Sequence, residues 1–77
     1  MITNEMAWAA LDSLAAAHNM TVSGMAVRSG LNATTFNKSK RVFSSGRVRW
    51  PSMCTIAKVL NQFHMSMREF GTYFPDR

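Results

Sequence analysis

Apolar residues along this chain recur with the period of an α-helix rather than with the alternation of a strand. Near the amino terminus they predict a helix from about Asn4 to Ala17, which Thr3 or Asn4 caps and Trp8 flanks. The inward stripe of this helix consists of four positions on one face: Ala7, Leu11, Leu14 and Ala15.

The stretch from Thr21 to Lys40 predicts two short helices separated by a tight turn. Gly30 ends the first of them, and Asn32 caps the second, which runs from Ala33 to about Arg41. The inward positions of the first recur at helical spacing: Val22, Met25, Ala26 and Ser29. Two helices joined by a few residues with Gly at the corner are typical of a helix-turn-helix, here at about residues 22–41.

Residues 42–50 predict a basic, non-helical segment. They contain the turn Ser44-Ser45-Gly46 and then alternate basic and apolar residues, so a hairpin arm and an ordered loop both fit. We favour the loop, because a two-stranded ribbon of this length is marginal on its own.

Two further helices are predicted within about residues 52–71. Ser52 caps the fourth, whose inward stripe is Met53, Ile56, Ala57, Leu60 and Phe63. The fifth starts near Ser66, buries Met67 and Phe70 and ends around Gly71, and the tail from Thr72 to Arg77 frays. The pattern therefore predicts a single all-α domain over residues 1–77 with a compact five-helix architecture.

The net charge of +5 is unevenly placed along the chain. Residues 1–27 contain no Lys or Arg, whereas residues 28–50 contain no acid and hold these cations: Arg28, Lys38, Lys40, Arg41, Arg47 and Arg49. A basic run is often only a solvated surface. Here it coincides with the second helix of the helix-turn-helix and the loop after it, which favours a surface that binds phosphates.

Several other functions are disfavoured by what the sequence lacks. No apolar run approaches the roughly 18–20 residues of a membrane span, and the first residues do not resemble a secretory signal. The single Cys54 fits a reducing cytoplasm, as a buried or half-buried thiol on a helix. His18 and His64 lack neighbours at ligand spacing, so we expect no metal and no cofactor. We see no catalytic triad, carboxylate pair or glycine-rich phosphate loop, so we do not expect an enzyme.

The faces of the second helix of the motif suggest which side chains contact DNA. With Phe36 inward and about 100° per residue, the opposite side holds Thr34, Asn37, Lys38 and Arg41. Such residues can bond to base edges in the major groove, although simple solvation of an exposed face is the alternative. Asn32 and Ala33, at the start of the helix, either contact DNA or only cap and support it.

Four further residues are candidates for phosphate contact. Ser23 offers its hydroxyl at the start of the preceding helix, and Lys40 extends along the core towards phosphate. Arg47 and Arg49 lie in the flexible loop, where phosphate or minor-groove contact and plain exposure are both open. Trp8 and Trp50 are expected in the core or at its rim rather than on bases.

The stretch from Ser23 to Phe70 resembles the lambda-repressor-like (Cro-like, XRE) helix-turn-helix family. It looks most like the amino-terminal domain of phage and bacterial repressors that carry a LexA-like peptidase domain. The resemblance rests on T-T-F-N-K-S-K-R from Thr34 to Arg41, on R-W-P-S from Arg49 to Ser52, and on I-A-K-V-L from Ile56 to Leu60.

The resemblance implies a five-helix bundle that binds a palindromic double-stranded operator as a homodimer, at least on DNA. The family's recognition positions fall on Asn32, Ala33, Thr34, Asn37, Lys38 and Arg41. In those repressors a peptidase and dimerisation domain follows, so the resemblance implies a possible domain of this kind beyond these 77 residues. Whether the 77 residues are a whole protein or an amino-terminal domain stays open at this point.

We therefore expect sequence-specific DNA binding by a cytoplasmic, nucleoid-associated transcriptional regulator. A repressor is favoured, although activation is equally compatible with the sequence. Two alternatives stay open. One is a protein-interaction module of the antitoxin or antirepressor-target type, and the other is a non-specific nucleic-acid binder.

Overall fold

Helices make up most of the fold. The computed structural model describes residues 1–75, so the expected fraying of the tail lies partly outside the described residues, at Asp76 and Arg77. The α-helices are α1 (Asn4–Ala17), α2 (Val22–Arg28), α3 (Met53–Gln62) and α4 (Met67–Gly71), and a 3₁₀ helix (Lys38–Arg41) lies between α2 and α3. The described residues contain no strand longer than a single bridge. The radius of gyration, 11.8 Å, is close to the roughly 11.5 Å of a folded domain of this length.

Side-chain caps determine where the helices begin. The hydroxyls of Thr3, Thr21 and Ser52 each accept a hydrogen bond from a backbone N–H in the first turn of the helix that follows. Ser66 and Glu69 form a reciprocal capping box at α4. Gly30 (φ 79°) follows the end of α2 in the left-handed region that favours glycine, as the sequence predicted.

The core forms where α1 packs against α2 and α4, while α2 also contacts α3. The predicted inward stripe of α1 is confirmed, since all four of its residues are buried. Phe36 is also buried, as predicted, and its ring meets that of Trp8 edge-to-face with 6.4 Å between centroids. The rest of the core is aliphatic and aromatic: Met25, Ala26, Ile56, Val59, Leu60 and Phe70.

The buried face of α3 differs in part from the prediction. Ile56 and Leu60 are buried as expected, but Val59 replaces Ala57 and Met53, which are both exposed. Ile56, Val59 and Leu60 lie at i, i+3 and i+4, so they form one face, whereas Met53 lies in the first turn at the edge of that face. Cys54 in the same turn is exposed, so its expected burial is wrong.

The last helix buries only one of its two expected residues. Phe70 is buried, but Met67 in the first turn of α4 is 55% exposed. Tyr73 and Phe74 are half-buried against the core, and Phe74 meets Phe70 edge-to-face with 5.2 Å between centroids. The tail is therefore held as far as Phe74 rather than frayed from Thr72.

The continuous helix predicted from Ala33 to Arg41 is wrong, and with it the count of five α-helices. Residues 33–36 form a turn, Asn37 adopts an extended backbone (ψ 146°), and only Lys38–Arg41 wind into a single 3₁₀ segment. The Asn32 side-chain oxygen accepts hydrogen bonds from both the N–H and the hydroxyl of Thr34, at 2.9 and 2.8 Å. The Thr35 hydroxyl donates to the Asn32 carbonyl at 2.7 Å. Such local bonds compete with a helix, and this stretch is poor in strong helix formers.

Candidate nucleic-acid interface

Arg41 lies in the protein interior and not on the outward face that the helical projection gave it. Its side chain is 9% exposed, and it forms a bidentate ion pair with Asp12 of α1, at 2.7 and 3.0 Å. Its Nε donates to the Phe36 carbonyl at 3.0 Å, and its guanidinium lies 5.0 Å from the centre of the Trp8 ring. The break at Asn37 turns the chain, so Arg41 faces the same side as Phe36. Arg41 is therefore engaged inside the protein, and its expected contact with DNA is wrong.

The remaining candidates for base contact are all exposed: Asn32, Ala33, Thr34, Asn37 and Lys38. They lie on the turn and the 3₁₀ segment, which Phe36 and Arg41 anchor to α1. Because the Asn32 oxygen already accepts two hydrogen bonds, this residue has its amide N–H groups left for a ligand.

Ser23 is half-buried in the first turn of α2. Beside it, the Thr21 hydroxyl accepts a hydrogen bond from the Gly24 N–H at 3.0 Å. The position that the sequence gave Ser23, at the start of this helix, is confirmed, and its contact with phosphate stays a prediction.

Residues 42–50, here called the arm, form a loop closed by one antiparallel bridge between Val42 and Val48. The Phe43 N–H donates to the Arg47 carbonyl at 2.8 Å, and Gly46 (φ 90°) allows the reversal. The preference for an ordered loop over a stranded hairpin is confirmed in this form. The arm is not a loose segment, however.

Two side chains of α1 hold the arm in place. The Asn4 Nδ2 donates to the Val48 carbonyl at 2.6 Å, and the Trp8 indole N–H donates to the Arg49 carbonyl at 2.7 Å. Arg49 also donates its backbone N–H to the Arg41 carbonyl at 2.8 Å. The carboxyl end of the arm is therefore fixed directly to α1, and it is also bonded to Arg41, just before the start of the arm.

Three exposed cations form a connected surface across the arm and the 3₁₀ segment. The guanidinium carbons of Arg47 and Arg49 lie 5.4 and 5.3 Å from the centre of the Phe43 ring. Lys40 and Arg49 line one open cleft of about 250 Å³, together with Trp50 and the start of α3 at Ser52. Lys40 therefore lies beside the arm, in a cleft that the core residue Trp8 also lines, and its contact with phosphate stays a prediction.

Lys38 belongs to a different part of the surface. It lines a cleft of about 330 Å³ with Glu5 and Asp12 of α1, so its charge is partly offset by nearby carboxylates. The fold therefore separates the six cations of the basic run. Arg41 is buried, Lys38 lies near acids, and Arg28 is exposed at the end of α2. The other three, Lys40, Arg47 and Arg49, share one surface.

Two aromatic residues of the arm are exposed, which contradicts the expectation for Trp50 and places the ambiguous Phe43 at the surface. Trp50, expected in the core or at its rim, is 57% exposed, and Phe43 is 43% exposed. Trp8 fills the inner position instead, and Pro51 beside Trp50 is buried. The placement of Trp50 between the basic Arg49 and Pro51 was a weak signal, because such a residue can equally cover a core.

Two further classes of site find no support in the part of the chain that the structure describes. Within residues 1–75, no three His, Cys, Asp or Glu side chains are grouped closely enough to hold a metal ion. None of the described helices is long and apolar enough to cross a membrane. Comparison of the chain with protein-family models, with curated proteins and with solved structures finds no match.

Proposed function

We propose that this chain binds double-stranded DNA sequence-specifically and acts as a transcriptional regulator, a repressor where its site overlaps a promoter. The observation that carries the proposal is the connected surface of Lys40, Arg47 and Arg49, in a stretch of 23 residues (28–50) that contains no acid. Cations held on a rigid scaffold release counterions from DNA phosphates, which supplies affinity independent of sequence.

The exposed residues from Asn32 to Lys38 supply the base contacts in this proposal. In this proposal α2 is the first helix of a lambda-repressor-like helix-turn-helix. The turn at residues 33–36, which the buried Phe36 anchors, takes the place of the second helix. Thr34 and Asn37 carry short polar groups that suit base edges in the major groove, and Lys38 suits the two acceptors of guanine. Each good contact contributes roughly 1–3 kcal/mol of discrimination.

The regulator acts as a homodimer on a palindromic operator, because two copies double the length of DNA that is read. An apolar groove of about 610 Å³ between the amino terminus and α4 supports a contact between copies, with exposed Ile2 and Met67 at its edge. Sedimentation equilibrium with and without operator measures the stoichiometry, and Met67→Lys should weaken the dimer.

The test starts with selection of preferred duplexes from a random pool, followed by fluorescence anisotropy with competitor DNA at 50 and 200 mM salt. Lys38→Ala should relax the base preference, whereas Arg47→Ala should weaken binding to all sequences alike. Lys58→Ala and Arg68→Ala are matched controls, since both cations are exposed on helices outside this surface. We expect neither control to change affinity beyond about twofold.

Equal binding to every sequence, lost entirely at the higher salt, would contradict the regulator hypothesis and favour a non-specific binder. A failure to bind any duplex, with a stable folded protein, would favour the protein-interaction module. If Lys38→Ala weakened all sequences and Arg47→Ala changed the preference, the two roles would have to be exchanged.

A further inference from the structure

Phe43 and Trp50, both in the arm, are the only exposed Phe, Tyr or Trp side chains among the described residues. Cationic residues of the arm lie beside both of them. All the other aromatic residues are buried or half-buried: Trp8, Phe36, Phe63, Phe70, Tyr73 and Phe74. Phe43, Arg47, Arg49 and Trp50 line one open cleft of about 400 Å³. The exposure of the two rings is thus confined to the most basic part of the surface.

The fold keeps these rings at the surface. Trp50 precedes the buried Pro51 and the capped start of α3, so its backbone position is fixed from the carboxyl side. Phe43 is fixed by the bridge at Val42 and by its own bond to the Arg47 carbonyl. The Trp50 indole, held partly in water on an anchored loop, is ready to stack on a ligand with little loss of conformational entropy.

The charge and shape of the arm select the class of ligand. Its cations attract an anion, and the exposed Trp50 ring offers a flat face for stacking. The guanidinium groups of Arg47 and Arg49 lie over the Phe43 ring, so that ring becomes free to stack when they turn to phosphates. An acidic peptide supplies negative charge but few planar groups, and the bases of a regular duplex are already stacked on each other. Unpaired nucleotides supply both phosphates and free base faces.

We propose that the arm binds single-stranded or locally unstacked nucleic acid, with Trp50 and Phe43 stacking on bases while Lys40, Arg47 and Arg49 contact the phosphates. This activity goes beyond the reading of duplex DNA, because it needs bases that are out of the helical stack. If one protein reads duplex DNA and stacks on bases at the same time, the arm holds a kinked or opened base step next to the operator.

The test compares three probes of equal length by fluorescence titration of the whole chain: a 12-nucleotide thymidine strand, the same strand with abasic sugars, and a 12-base-pair duplex. The abasic strand keeps the phosphates and removes the faces for stacking. We expect the thymidine strand to bind about fivefold to a hundredfold more tightly than the abasic strand. Because Trp8 is buried and Trp50 is 57% exposed, we expect quenching of the exposed indole only.

Variants assign the effect to the arm. Trp50→Leu and Phe43→Leu should each bring the thymidine strand towards the affinity of the abasic strand, and Phe43→Tyr should retain the preference. These affinities are measured by fluorescence anisotropy of labelled strands, because Trp50→Leu lacks the indole that reports binding. Met53→Ala, which truncates an exposed apolar side chain on α3 outside the arm, is the control and should change nothing. Circular dichroism checks that each variant is folded, and the comparison of thymidine with abasic strands needs no variant at all.

Equal affinity for the two strands, absence of quenching, or equal binding to vesicles with acidic lipids would overturn the proposal. Duplex binding with sequence preference but without preference for thymidine over abasic strands would overturn the stacking function alone and leave the regulator intact. Preference for thymidine strands without any selected duplex would support stacking and contradict the regulator. The two proposals therefore fail separately.

Discussion

Replacement of the buried Arg41 with Met separates a structural role from a role in DNA recognition. The variant keeps an apolar stem but loses three groups of interactions: the pair with Asp12, the bond to the Phe36 carbonyl and the contact with Trp8. Loss of the donor to a buried carbonyl costs about 1 kcal/mol. The contact over the indole ring contributes roughly 0.5–1 kcal/mol.

The ion pair itself adds less than a fully buried pair would. The Asp12 side chain is 38% exposed, so it regains water when the guanidinium is removed, and we discount the pair to about 0.5–1 kcal/mol. We therefore expect Arg41→Met to lower the free energy of unfolding by about 2–3 kcal/mol. For a domain of this size each kcal/mol shifts Tm by roughly 4–8 °C, so thermal unfolding should move down by about 8–24 °C.

The reverse truncation, Asp12→Ala, should cost at least as much. It leaves the guanidinium, which is 9% exposed on its side chain, without its counter-charge. A double-mutant cycle on the two residues should give a coupling free energy of about 0.5–1 kcal/mol, measured by urea unfolding. The affinity for DNA, measured on the folded fraction, should stay within about threefold of the parent for Arg41→Met.

Lys40→Met is the matched control, since Lys40 is the neighbouring cation in the 3₁₀ segment and its side chain is exposed. It should leave Tm within about 3 °C and weaken DNA binding. An Arg41→Met protein with unchanged Tm and a large loss of DNA affinity would refute the placement of Arg41 inside the fold.

Further substitutions test the ends of the helices. Gly30→Ala should lower the free energy of unfolding by about 1–2 kcal/mol, because Gly30 has φ 79°. Gly71→Ala is the control, since no atom lies within 4 Å of the added Cβ, and it should change that free energy by less than about 0.5 kcal/mol. Calorimetry measures both. Ser66→Ala removes half of the capping box of α4 and should cost about 0.5–2 kcal/mol in chemical unfolding, while Ser13→Ala on the exposed face of α1 should cost almost nothing.

Features that depend on neighbouring residues could be predicted from the sequence. The bounds of α1, the cap at Ser52 and the stop at Gly30 each follow from a few adjacent side chains and from backbone preferences. The inward position of Phe36 also followed from the pattern, although it reached the core from a turn and not from a helix. Local chemistry was sufficient in each of these cases.

The stretch from Asn32 to Arg41 could not be predicted in the same way. Its helical projection assumed one period throughout, but the side chains of Asn32 and Thr35 satisfy backbone groups locally, and this closes a turn. The partner of Arg41 is Asp12, 29 residues away, and no pattern within a helical window identifies such a pair. An error in one short element therefore moved a cation from the surface to the interior.

That displacement changes the electrostatics expected of the DNA complex. The basic run holds six cations in sequence, and six phosphate contacts predict a slope of log K against log salt of about −5.4. The fold buries Arg41 and joins only Lys40, Arg47 and Arg49 in one surface, and three contacts predict a slope of about −2.7. Between 50 and 200 mM salt the second slope is a loss of about fortyfold in affinity. A measured slope near −5 would mean that cations outside the arm and the 3₁₀ segment reach the phosphates, and that the DNA covers much more of the protein than this surface.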